Sequence, residues 1–286
     1  MMNCLQSWPE PVVRVQSLSE SGIGAIPDRY IKPPSDRPGF ENQEHVDIPV
    51  VDLKNLFSHD HTLHEETLKL ISSACKEWGF FQAVNHGISH ELMKRTREKG
   101  AILDWSDYFF LHYLPVYLRN PSKWPSLPSS CRDLISEYGA EVVKLCGRLL
   151  KAMSISLGLK EDYLQNAFGG EDIGACLRVN FYPKCPQPDL TLGLSSHSDP
   201  GGMTLLLPDH DIAGLQVRKN GKWITVKPVP NAFIVNVGDQ IQVMSNAIYK
   251  SVEHRVIVNS VKDRVSLAFF YNPKSDLLIE PAKELV

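Results

Sequence analysis

Three residues carry the clearest chemical potential: His197, Asp199 and His254. In His197-Ser198-Asp199 the imidazole and the carboxylate stand two positions apart. On an extended segment both then point to one face and can grip a single metal ion. The pattern is weak by itself, because a chain with 10 histidines meets it by chance. A second match, His45-Val46-Asp47, lies in a proline-rich stretch, where a satisfied structural polar group is the ordinary explanation. Context separates the two. His197 and Asp199 end a strand-like segment and run into Pro200-Gly201-Gly202, where backbone can pass close to a ligand. His254 opens a later strand-like segment. Two histidines and one carboxylate form a facial set that leaves three positions of an octahedral iron open.

Shortly after His254 comes Arg264-Val265-Ser266, whose outer two side chains share a strand face. A guanidinium and a hydroxyl so placed can clamp a carboxylate, and Arg does this bidentately where Lys cannot. Upstream, Asn180 and Tyr182 also share a face and can add hydrogen bonds. Together these features answer one requirement. Three protein ligands leave room for a bidentate 2-oxo acid and then for dioxygen, and the far carboxylate of that acid needs a buried cation. A lone Arg264 would read as a surface salt bridge; the combination favours the functional reading.

The elements that must position these groups change character along the chain. Residues 1–47 read as a proline-rich arm, with prolines at 9, 11, 27, 33, 34 and 38. Residues 48–53 read as a short strand. Residues 62–77 read as an amphipathic helix with Leu63, Leu70, Ile71 and Ala74 on its apolar stripe, stopped by Gly79. A strand at 80–84, a turn at Asn85-His86-Gly87 and a helix over 89–98 follow. A longer helix over 129–157 repeats Leu134, Tyr138, Val142, Leu145, Leu149 and Met153 at three or four. From Cys176 onward the period becomes two. Strands are expected at 177–182, 203–207, 214–218, 222–226, 233–237, 254–259 and 264–271, with Asn220-Gly221 as a tight hairpin. The fold class expected is α+β, a C-terminal antiparallel double sheet with the upstream helices packed outside it.

Composition narrows the function classes. The chain has 286 residues, a formal net charge of −3, 43% hydrophobic and 22% charged residues, an ordinary globular balance. Near-neutral charge argues against nucleic-acid binding, and no apolar run approaches the ~18 residues of a membrane span. No basic n-region or apolar h-region opens the chain. The six cysteines, at 4, 75, 131, 146, 176 and 185, form no CxxC pair. They read as reduced thiols of a cytoplasmic protein, with nuclear access left open.

The sequence resembles the plant iron(II)/2-oxoglutarate-dependent dioxygenases. The matching stretches are Asp47 to Asp52, Trp78-Gly79-Phe80-Phe81-Gln82 with Asn85-His86-Gly87, and Arg178-Val179-Asn180-Phe181-Tyr182-Pro183. They continue with His197-Ser198-Asp199, Asn236-Val237-Gly238-Asp239-Gln240, Ser251 to Val256 and Arg264-Val265-Ser266. Within that family, Pro27 to Pro34, Glu98 to Trp105 and Phe168 to Cys176 look most like the jasmonate-induced oxygenases.

The resemblance implies a distorted double-stranded β-helix, a jelly-roll of cupin-like form. It implies iron(II) held by His197, Asp199 and His254, and 2-oxoglutarate met by Arg264, Ser266, Asn180 and Tyr182. Dioxygen is the oxidant and ascorbate an auxiliary reductant. The implied substrate is a small carboxylic acid, jasmonic acid above all, whose hydroxylation lowers jasmonate signalling; neither nucleic acid nor membrane is a partner. Arg178, on the strand face of Asn180 and Tyr182, is the candidate for the substrate carboxylate, and Phe270 for an apolar wall. The implied organisation is an arm at 1–47, a shortened N-terminal dioxygenase region at 48–98, a helical support layer at 99–170 and the jelly-roll at 171–286.

Three departures from the family stand out. Ser196 replaces the usual Pro before the metal-binding His. Several tens of family residues are missing near Arg97-Glu98-Lys99, and the chain stops at Val286, before the family's closing helix. Such losses predict exposed apolar surface. They also leave two alternatives, a related oxygenase acting on a flavonoid or another hormone, and a truncated form that binds without catalysis.

Overall fold

The computed structural model describes residues 14–38, 47–57, 60–93, 106–125 and 130–286. In chain order the strands are β1 (Val50–Asp52), β2 (Phe80–Val84), β3 (Asp107–Leu114), β4 (Gly174–Tyr182), β5 (Leu194–His197) and β6 (Met203–Leu207). They continue as β7 (Leu215–Lys219), β8 (Lys222–Thr225), β9 (Phe233–Val237), β10 (His254–Val256) and β11 (Arg264–Asn272). A major sheet runs β1-β2-β9-β6-β11-β4-β3 and a minor one β5-β10-β7-β8. All pairings are antiparallel except β1 with β2.

Strict alternation gives the major sheet two different faces. On β11, Leu267, Phe269 and Tyr271 join the large apolar core on the helix side; Arg264, Ser266, Ala268 and Phe270 point the other way, into a cavity between the sheets. On β2, Phe81 belongs to the helix-side core while Phe80 packs with Leu215, Val217, Ile224 and Ile234 between the sheets. This is a double-stranded β-helix, one sheet sealed by helices and the other facing it across the site.

The helices are α1 (Val15–Glu20), α2 (His61–Glu77), α3 (Cys131–Ser156), α4 (Tyr163–Ala167) and α5 (Asp239–Met244). On α3, all six stripe residues named from the sequence are buried against the sheet, each contributing roughly 1.5–3 kcal/mol of apolar transfer free energy. On α2 the expected stripe holds for Ile71 and Ala74, which are buried, and fails for Leu63 and Leu70, which are exposed; Thr67, Leu68, Ser72 and Cys75 complete the buried face. The helix starts where Asp60 accepts from the Thr62 and Leu63 amides, at 2.9 and 3.4 Å.

Other expectations are corrected too. Residues 107–114, taken as part of a helical support layer, form β3, an eight-residue strand along β4. The helix expected over 89–98 begins at residue 90, with the Leu92 amide donating to Ser89 Oγ at 3.1 Å; residues 94–98, like Cys4, His45 and the segment 98–105, lie outside the described residues. The strand expected over 254–259 is the three-residue β10. The arm docks on the core: the Lys32 amide donates to Leu190 O at 2.8 Å and the Ile26 amide to Gln187 Oε1 at 2.9 Å. Asn220 and Gly221, at φ 51° and 79°, make the hairpin between β7 and β8. Among the described residues Cys75, Cys146, Cys176 and Cys185 are free thiols, and no helix is long and apolar enough to cross a membrane.

Candidate functional site

β5 and β10 run antiparallel with His197 opposite His254, which places their ring centroids 4.3 Å apart. Asp199, two residues past His197, puts Oδ1 3.5 Å from His197 Nε2 and 3.6 Å from His254 Nε2. The three donor atoms lie within 4.8 Å of one another. Each imidazole is oriented by its other nitrogen: His197 Nδ1 lies 2.9 Å from Ser195 O and His254 Nδ1 3.1 Å from Val252 O. A carbonyl only accepts, so the network assigns the proton to Nδ1 in both rings and leaves the Nε2 lone pairs facing Asp199. Two imine lone pairs and a carboxylate oxygen then converge, and the one donor they can gain among themselves is a proton on His197 Nε2 facing Asp199. Only a cation satisfies that arrangement, so the residues present fit a metal ion.

Asp199 is fixed by its second oxygen. Oδ2 accepts from Thr204 Oγ1 at 2.5 Å on β6 and from Asn236 Nδ2 at 2.8 Å on β9, leaving Oδ1 for the shared centre. Burial alone would push the Asp199 carboxyl up. The bonds from His197, Thr204 and Asn236 and the neighbouring His254 outweigh it and hold the group well below the usual carboxylate range. Burial holds His254 below the ordinary imidazole value, the neutral state a ligand needs; the hydrogen bond to Asp199 lifts His197 above it. Beyond Asp199 the backbone crosses close under Phe168 and Tyr271, and a side chain at Gly202 would collide with both.

The inner face of β11, β4 and β3 is ruled into cross-strand rows. Arg264 pairs with Tyr182; Ser266 with Asn180 and Tyr108; Ala268 with Arg178 and Phe110; Phe270 with Cys176 and His112. In the first row Arg264 is 2% exposed, its guanidinium carbon 5.2 Å from the centre of the Tyr182 ring. Its Nε makes a long bond to Ile212 O, 3.3 Å, and its Nη1 has no partner. Burial pulls its pKa down, while Tyr182 and Asp209 act in the opposite sense; a guanidinium keeps its proton regardless. Asn180 Oδ1 is likewise buried without a partner. A dry cation with an unused N–H, near the triad, is a receptor for a carboxylate.

In the third row Arg178 stacks over Tyr108, 4.1 Å from its centroid, and its buried Nε is unpartnered. All nine residues singled out from the sequence line one inner cavity. Arg178, His197, Asp199 and Phe270 also line an outer cavity of about 940 Å³, within the ~300–1,000 Å³ of small-molecule sites. Its walls include Phe110, His112, Cys176, Tyr117 and Leu118; Tyr117 is 81% exposed and Leu118 47%. Of the second match, His45-Val46-Asp47, only Asp47 lies among the described residues, and it is exposed.

Sequence reasoning missed Thr204 and Asn236. Their signal is a polar residue at an inward position of an otherwise apolar strand, Met203-Thr204-Leu205 and Val235-Asn236-Val237. It missed Tyr108, Phe110 and His112 because the strand that carries them was missed.

Residues 173–273 match the 2OG-Fe(II) oxygenase superfamily, and residues 48–101 match the non-haem dioxygenase in morphine synthesis N-terminal family. Jasmonate-induced oxygenase 2 of Arabidopsis thaliana is 56% identical over 317 residues, covering 99% of this chain and 85% of that protein. Jasmonate-induced oxygenase 3 of the same plant is 56% identical over 325 residues, covering 100% and 90%. Both alignments exceed the 286 residues of this chain, so the relatives hold internal residues with no counterpart here. The crystal structure of JOX2 in complex with 2OG, Fe and JA superposes with a TM-score of 0.88 at 57% identity, covering 98% of this chain and 88% of that one. With this fold and these relatives, the chain belongs to the 2OG-Fe(II) oxygenase superfamily and is an iron(II)- and 2-oxoglutarate-dependent dioxygenase.

Proposed function

We propose that this enzyme hydroxylates jasmonic acid and so attenuates the jasmonate signal, with iron(II) bound by His197, Asp199 and His254. The observation that carries the reading is a pair of cations in separate rows of one strand face. Arg264 and Arg178 both keep a buried N–H without a partner, which calls for two carboxylates, one on the co-substrate and one on the substrate. Arg264 with Ser266, Tyr182 and Asn180 takes the far carboxylate of 2-oxoglutarate. Arg178, held flat by Tyr108, takes the carboxylate of the substrate, whose carbon skeleton rests on Phe270 and Phe110. The names of the relatives, jasmonate-induced oxygenases, and the JA in the JOX2 complex support this choice of acid.

When bound, iron(II) and 2-oxoglutarate supply the oxidising chemistry, in which decarboxylation to succinate accompanies insertion of one atom of dioxygen into a substrate C–H bond. The chain's own part is placement. Arg264 and Arg178 set two ends at fixed distances from the triad, and the apolar strand faces keep bulk water from the reacting carbon. The test is succinate release by the full chain with and without jasmonic acid. Acid-dependent release, with KM raised at least tenfold in Arg178→Leu, is expected. Release that ignores jasmonic acid in a protein that binds iron(II) and 2-oxoglutarate would overturn the substrate assignment.

A further inference from the structure

β5 is an edge strand of four residues. Its ladder to β10 consists of two pairs, His197 with His254 and Leu194 with Val256, with an irregularity between them. A ligand at the tip of so short an edge strand has little backbone to locate it. The outer face of the same strands carries a second connection. Ser196 Oγ donates to Glu253 Oε1 at 2.6 Å, and Glu253 Oε2 accepts from Arg218 Nη1 of β7, also at 2.6 Å. The Arg218 amide donates to Glu253 O at 2.8 Å, so this one residue joins β5, β10 and β7. Trp223 supports the arrangement from beneath, with the guanidinium carbons of Arg218 and Arg255 5.7 and 4.3 Å from its centroid. Ser196 and Glu253 each immediately precede a histidine of the triad. The outer bond therefore spans the strands where the metal would span them inside.

We infer that Ser196 and Glu253 are positioning residues for the metal centre, a hydroxyl–carboxylate clamp that holds β5 in the register bringing His197 Nε2 to its partners before metal arrives. The inference rests on the proposed metal assignment. Ser196 is exposed and Glu253 half-exposed, and polar pairs open to solvent add little to global stability. The clamp's effect is therefore local: on metal affinity, not on the melting temperature. Residues that orient ligands from behind typically change metal affinity 10–100-fold.

The test is Mn(II) titration of the full chain, followed by the electron paramagnetic resonance of free Mn(II), with the visible absorption of the iron(II)–2-oxoglutarate complex as a second readout. Ser196→Ala should weaken Mn(II) binding about tenfold and diminish the band at fixed iron, while thermal unfolding of the metal-free protein stays put. Ser196→Thr, which keeps the hydroxyl, should restore wild-type affinity. Glu253→Gln, which still accepts from Ser196 but loses the charge that holds Arg218, should fall between. Wild-type affinity in Ser196→Ala, or failure of Ser196→Thr to rescue, overturns the clamp alone. Failure of the wild-type chain to bind Mn(II) overturns the metal assignment, and the clamp with it.

Discussion

Replacing Arg264 with Met should separate folding from co-substrate binding, because the two depend on this side chain with opposite sign. Without ligand the guanidinium is a desolvated cation, its Nη1 unused and its Nε held by one long bond. Met fills much of the same volume without a charge to bury, so the folding free energy should change by no more than about 1 kcal/mol in either direction. Binding should respond very differently. Removing one partner of a buried charge pair costs about 2–5 kcal/mol, a rise in the dissociation constant of roughly 30- to 5,000-fold. The assay is thermal or urea unfolding of wild type and variant with and without 2-oxoglutarate, both in saturating Mn(II). At a ligand concentration of about 100 times its Kd the wild type gains about 2.7 kcal/mol; a 30-fold weaker variant gains less than about 1 kcal/mol under the same conditions. Arg264→Lys, a point charge without the planar fork, should lie between. Undiminished stabilisation of Arg264→Met by 2-oxoglutarate would refute the assignment of this row. A variant that no longer folds would refute the claim that Arg264 is retained for binding.

Three further outcomes follow from the geometry. Thr204→Val keeps the shape but releases Asp199 Oδ2 from one of its two donors. Metal affinity should fall about 10–100-fold with little change in melting temperature, and an unchanged isotherm would mean that Asn236 alone suffices. His86 is buried, with Nδ1 accepting from the Ile88 amide and Nε2 facing Asn231 O, and burial holds its pKa below the ordinary value. The unfolded imidazole, at about 6.5, therefore takes up its proton first as pH falls. Stability should decline below about pH 6.5, by up to ~1.4 kcal/mol per pH unit, until the folded imidazole protonates too. In His86→Gln that part of the slope should vanish from urea midpoints taken between about pH 7.5 and 5.5; identical slopes in the two proteins would count against a neutral buried His86. Gly221→Ala meets no neighbouring atom but forces a side chain to φ 79°. It should cost about 1–2 kcal/mol and leave Mn(II) binding intact, since β8 lies at the edge of the minor sheet away from β5; weakened Mn(II) binding would argue otherwise.

β6, β9 and β11 were legible because one side of each is apolar core and the other a mixed cavity wall, and β7 because Leu215 and Val217 face the core while Arg218 faces out, so period two survives. β3 hid because both of its sides are apolar: Leu111 and Tyr113 enter the core, while Tyr108 and Phe110 are half exposed, Phe110 at the cavity mouth. Without a polar phase, Tyr-Phe-Phe-Leu-His-Tyr-Leu has no readable period. The α2 stripe slipped for a related reason: Thr67, buried with its hydroxyl bonded to Leu63 O, stood where an apolar residue was sought, and Leu70 faces water. The triad and the Arg264 clamp were readable because their residue types are expensive to bury without a task. Thr204 and Asn236 pass for ordinary strand residues until a carboxylate is found behind them. Ser196 looked like a departure from the related sequences, and its hydroxyl turns out to be bonded to Glu253.

The cross-strand rows bear on how such an enzyme can diversify. Each step of two residues along β11 or β4 moves a side chain by about 6.8 Å and keeps it on the same wall. On the proposed assignment, co-substrate recognition occupies the rows of Arg264 and Ser266, and substrate shape is written in the rows of Ala268 and Phe270, with Arg178 and Cys176 beside them. Phe270, Cys176 and His112 lie at the outer end of this wall, separated from the row of Ser266 by the row of Ala268, Arg178 and Phe110. Distance along a single strand thus sets apart the two recognition tasks proposed for this wall.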